Sequence, residues 1–157
     1  MGKRLQPTSF VGRLLTDLLG RPTTVKDLRG GRPPEVGAAG IYRFVDGRLA
    51  GVAVADLAGA ARSSAAMSLI PPGAAHDADE AQRLPPNLAE NLVELFNVYS
   101  RFFCSLEAPR VRHVQTVLLP GALPDDVRGA LLAPVEQLHL LVDVEGYGAG
   151  RLMLVAG

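Results

Sequence analysis

The chain has 157 residues, 48% hydrophobic and 20% charged, so one compact domain with a sizeable core is expected and extensive disorder is not. Sixteen basic residues offset sixteen acidic ones, which argues against a general binder of nucleic acid or anionic membrane. The single cysteine, Cys104, excludes an internal disulfide framework and cysteine-rich zinc sites.

The opening MGKRLQPTSF lacks an apolar run long enough for a signal peptide. Its Met-Gly start would suit myristoylation, but Gln6 stands where Ser or Thr is needed. No later segment has the apolar length of a membrane span. A soluble, cytoplasmic protein is therefore expected, with no membrane or nucleic-acid partner.

Residues 9–19, SFVGRLLTDLL, set Phe10, Val11, Leu14, Leu15, Leu18 and Leu19 at helical spacing, with Gly20 as the stop. From Arg21 to Gly37 the composition of Pro, Gly and Arg predicts an irregular surface connection. Residues 1–37 are thus expected to form a helix and connection packed on a main domain of residues 38–157. Residues 40–55 then read as a β-hairpin turning at Asp46-Gly47, where glycine tolerates the positive φ of a tight turn.

Asp56 is a good N-cap for a small-residue helix, LAGAARSSAAMSLI, ended by Pro71-Pro72. Its Ala, Gly and Ser residues predict close packing on a neighbouring backbone. Residues 73–83 read as a polar loop leading to a second helix, residues 87–103. Residues 111–119 suggest a strand closed by Pro120-Gly121, and residues 124–132 a short helix or turn. Residues 137–144 and 150–155 form a second expected hairpin around EGYGAG. The order predicts an α+β fold, helices packed on one face of a mostly antiparallel sheet.

On the helix of residues 87–103, Leu88, Leu92, Leu95, Phe96, Tyr99, Phe102 and Phe103 gather on a core-facing side. Asn87, Glu90, Glu94, Asn97 and Arg101 fall within an arc of roughly 80° on the other side. Such a polar face needs no function beyond solvation. Asn87 and Glu90 have a structural account as N-cap and N3 of a capping box, and an exposed Arg101 can simply pair with nearby carboxylates.

Glu94-Leu95-Phe96-Asn97 is nevertheless a Glu-x-x-Asn motif, with Glu90 four residues before it and Pro120 after an interval of 22 residues. The hairpin DGRLAGVAVAD and the Ala-rich helix precede it in order. Over residues 38–155 this arrangement resembles the CheC/CheX chemotaxis phosphatases, whose signature is an acid or serine, Glu-x-x-Asn and a distant proline. The resemblance implies docking of this helix on a phosphorylated CheY-like receiver domain. Asn97 would orient a water toward the aspartyl phosphate and Glu94 would engage the receiver's lysine, with Glu90, Asn87 and Arg101 at the partner surface. No cofactor is expected on this chain, because Mg²⁺ would reside on the receiver. The chain departs from the family in carrying Phe96, Val98, Tyr99 and Arg101 where small residues are usual, and Glu90 where Asp or Ser is usual. Arg101 could contact a phosphate or partner acid, or obstruct docking. A non-catalytic interaction module with the same fold is the alternative, and sheet edges leave homodimerisation open.

The remaining candidates carry weaker chemistry. His76, His113 and His139 are scattered without ligand spacing. Ser63-Ser64 lacks a nearby base, and Cys104 reads as a small buried hydrophobe. The glycines of EGYGAG lack the strand-to-helix setting of a phosphate loop.

Overall fold

The computed structural model describes residues 4–29, 34–105, 110–118 and 121–157. Helix α1 (Thr8–Leu19) buries Val11, Leu15 and Leu19 and ends at Gly20, whose φ of 67° suits a residue without Cβ. Strand β1 (Thr23–Asp27) follows, then the hairpin of β2 (Ala38–Phe44) and β3 (Leu49–Ala55). Asp56 begins α2 (Leu57–Met67), its carboxylate accepting the Gly59 N–H at 2.7 Å and the Arg151 N–H at 3.0 Å. One side chain thus starts the helix and ties it to the sheet. Helices α3 (Pro72–Ala81) and α4 (Pro86–Tyr99) come next, α4 passing into a 3₁₀ turn (Ser100–Phe102). Strand β4 (Val111–Leu118), helix α5 (Asp125–Leu132) and strands β5 (Gln137–Val144) and β6 (Gly148–Ala156) complete the chain.

Among the described residues, six strands form one sheet in the order β1-β5-β6-β3-β2-β4, every neighbour antiparallel. The alternation of strand side chains divides the interior in two. Ala38 and Tyr42 of β2 join the larger core beneath α1, α2 and α4, while Ala39 and Ile41 face the other way. There they meet Val52, Val54, Val117, Met153 and Val155, covered by Val127 of α5. The α+β class and antiparallel sheet match the expectation. The helices α1 to α4 lie on one side, and α5 adds a small cover on the other.

Close packing of α2 takes a specific form. A Cβ on Gly150 of β6 would lie 2.1 Å from the Gly59 Cα, so helix and strand backbones touch where both lack side chains. The small-residue composition of α2 therefore sets its depth in the core, with Ala60, Ala61, Ser63, Ser64, Ala65 and Ala66 buried.

Three local expectations need correction. Part of the supposedly irregular Arg21–Gly37 stretch is β1, which pairs with β5 and sets Val25 opposite Val142. Its five residues gain strand structure from a partner more than a hundred positions away. Residues 73–83 are mostly helix α3, started by Pro72 in its first turn and held by buried Ala75 and Ala78. Two alanines make too faint an apolar stripe to announce a helix. Helix α2 stops at Met67, ahead of Pro71-Pro72, and Leu69 takes a left-handed φ of 56°. Pro120, expected to close β4, lies outside the described residues.

Candidate functional site

Helix α4 is held to the domain by Leu88, Leu92, Leu95, Phe96 and Tyr99, all buried. Full burial of such side chains stabilises by about 1.5–3 kcal/mol each as an upper bound. Asn91 adds a polar tie, its Nδ2 donating to the Ser64 carbonyl of α2 at 3.0 Å.

At the end of α4 the backbone changes pitch. The Ser100 N–H reaches the Asn97 carbonyl, three residues back, so the Phe96 carbonyl loses its usual helical donor. The buried Tyr42 hydroxyl of β2 supplies one instead, at 2.6 Å. Burial holds the Tyr42 phenol well above its ordinary pKa, so it remains a donor at neutral pH. Gly40 makes room for this contact: a Cβ there would stand 2.8 Å from the Tyr42 oxygen and 2.9 Å from the Phe96 ring. Tyr42 also stacks on Phe103 with ring centroids 4.6 Å apart, and His113 of β4 lies beside both Tyr42 and Phe96. The His113 Nε2 meets the Thr116 hydroxyl at 2.8 Å, and partial burial lowers its pKa.

This anchoring presents Asn87, Glu90, Glu94 and Asn97 to solvent, all exposed. Residues three and four apart on a helix are surface neighbours, so Glu94 and Asn97 stand side by side. Among the described residues, neither side chain makes a hydrogen bond or ion pair. The pair is free to meet an external group.

The expected capping box does not form. Pro85 occupies the N-cap position and Pro86 the first helical turn, so the helix begins before Asn87. Asn87 Oδ1 accepts from the adjacent Leu88 N–H at 3.0 Å, and Glu90 lies beyond the first turn. Glu90 therefore belongs to the exposed ridge. Arg101 also differs from expectation, standing on the 3₁₀ turn. Each residue there advances about 120° instead of about 100°, turning Arg101 toward α1. With Val98 it lines an open groove of about 660 Å³ against Phe10, Arg13, Leu14, Asp17 and Leu18. Arg101 is exposed, and it leaves Asn97 exposed too.

The other candidates have ordinary settings. His76 faces Glu80 across one helical turn at 3.2 Å, and His139 meets Gln137 at 3.1 Å. Ser63 and Ser64 are buried, and the Cys104 thiol donates to the Ser100 carbonyl at 3.3 Å. Among the described residues no cluster of three His, Cys, Asp or Glu side chains could hold a metal. None of their helices is long and apolar enough to cross a membrane.

No protein-family model and no curated protein sequence matches the chain. Among solved structures, FliY from Thermotoga maritima is similar at a TM-score of 0.50 and 10% identity, covering 99% of this chain and 93% of that one. The middle domain of FliM from Vibrio alginolyticus has a TM-score of 0.47 at 10% identity, covering 95% and 88%. The fold is CheC/CheX-like. At such low identity the likeness to FliY is one of architecture alone.

Proposed function

We propose that the α4 ridge is the docking and hydrolytic surface of a phosphatase acting on a phosphorylated receiver domain. The observation that carries this reading is the joint exposure of Glu94 and Asn97, unpartnered among the described residues, on a helix whose opposite face is buried.

The reaction is hydrolysis of an acyl phosphate. Water attacks phosphorus, the bond from phosphorus to the aspartyl oxygen breaks, and aspartate, inorganic phosphate and a proton leave. The bond is already labile, so positioning supplies most of the acceleration. Asn97 suits that task because a carboxamide accepts one hydrogen bond and donates others without adding negative charge beside the phosphate. Glu94, one turn away, offers a carboxylate to the lysine of the receiver. Glu90 and Asn87 extend the contact, and Mg²⁺ belongs to the receiver.

The test is loss of label from a radiolabelled phospho-receiver mixed with the purified chain. Accelerated loss supports the proposal, and an unchanged rate across receivers that bind the chain overturns the catalytic role. A second reading is a non-catalytic interaction module using the same ridge. It is favoured by Val98, adjacent to Asn97, standing where the resembled family carries a small residue. In that case wild type and Asn97→Ala bind alike and neither hydrolyses.

A further inference from the structure

The groove beside the ridge has a composition that hydration does not explain. Phe10, Leu14 and Leu18 repeat every four residues along α1 and are only partly buried, with Val98 facing them. They form an apolar floor about 12 Å long at 1.5 Å per residue. Arg13 and Arg101 stand exposed at its rim, neither in an ion pair among the described residues. The ring of Phe10 meets that of Phe102 edge-on at 6.3 Å, which brings the Arg101 turn to the half of α1 that also carries Arg13. Asp17 lies one turn further along α1. One end of the groove is therefore doubly cationic and the other carries a single acid.

On α4 the groove adjoins the Glu94–Asn97 pair. About the helix axis, Glu94 lies roughly 60° and Val98 roughly 100° from Asn97 in the same sense. Anything covering Glu94 and Asn97 and spreading past Glu94 reaches Val98 and the groove next.

We infer that this groove receives a short amphipathic helical segment of the same protein that the ridge engages. Apolar side chains of the segment fill the floor, and its carboxylates meet Arg13 and Arg101. An open channel about 12 Å long with an apolar floor and a charged rim fits a helix-in-groove contact better than an enclosed small molecule. The charge at each end fixes the direction of the segment, because a reversed helix would set its acids against Asp17. The inference rests on the ridge being a docking surface, and it holds for either an enzyme or an adaptor.

The experiment measures the dissociation constant of receiver domains locked in the phosphorylated form with beryllofluoride, alongside loss of label from the same phospho-receivers. Arg13→Glu and Arg101→Glu are each expected to weaken binding about tenfold. A carboxylate-to-lysine change on the partner's docking helix should restore much of that loss against the reversed arginine. Denaturation midpoints matching wild type establish that both variants are folded. Turnover with binding indifferent to both reversals overturns the groove and leaves the phosphatase reading standing. Arginine-dependent binding without turnover does the opposite, and absence of both binding and turnover overturns both.

Discussion

Asn97 and Tyr42 show how one residue's chemistry depends on another's placement. Under the proposed reading, Asn97→Ala should lower turnover at least about 100-fold while receiver affinity stays within a few-fold, since the amide would act on the water of the reaction. Single-turnover label loss and beryllofluoride binding separate the two quantities. Tyr42→Phe leaves the buried Phe96 carbonyl without its hydroxyl donor and should destabilise by about 1–3 kcal/mol, read as a lower urea midpoint at constant slope. His113 gives a pH signature. Its native pKa lies below the ordinary 6.5 because burial disfavours the charged ring. As pH falls below 6.5 the unfolded chain takes up a proton that the native ring resists, so this contribution to stability is lost in acid. Urea titrations at neutral pH and near pH 5.5 should show a smaller decline for His113→Gln than for wild type.

Helix α4 depends on a close approach to the sheet, and Gly40→Ala tests it. The added methyl meets the Tyr42 oxygen and the Phe96 ring at under 3 Å, so a loss of about 1–3 kcal/mol is expected, again from the urea midpoint. The legible elements carry strong local signals. The repeat of Leu88, Leu92, Leu95, Phe96 and Tyr99 announces α4, Asp56 announces the start of α2, and Asp46-Gly47 announces the hairpin. The ridge was legible for the same reason, as the complement of a clear apolar face. Strand β1 was not, because its pattern becomes decisive only beside β5. The start of α4 was misplaced because Asn87 is a good cap by type, whereas Pro86 begins the helix. The groove left a partial trace in α1. Val11, Leu15 and Leu19 already supply its buried stripe, and Phe10, Leu14 and Leu18 make a second that the core only half uses. Seeing that surplus as a surface requires knowing where the 3₁₀ turn stands.

At the scale of the whole molecule the two sides of the sheet are unequal. Among the described residues, helices α1 to α4 cover one, whereas α5 covers the other through the buried Val127, the partly buried Ala130 and Leu131, and the Arg43–Asp126 pair. Native-state hydrogen exchange should therefore open α5 at a lower free energy than β3 and β6, whose amides should exchange only with global unfolding. The thickly covered side carries the ridge, and there the Tyr42 hydroxyl joins β2, one strand in from the β4 edge, to the last turn of α4. Under the proposed reading, this chain would meet its partner already in working shape. Association would then spend little free energy on ordering the helix that makes the contact.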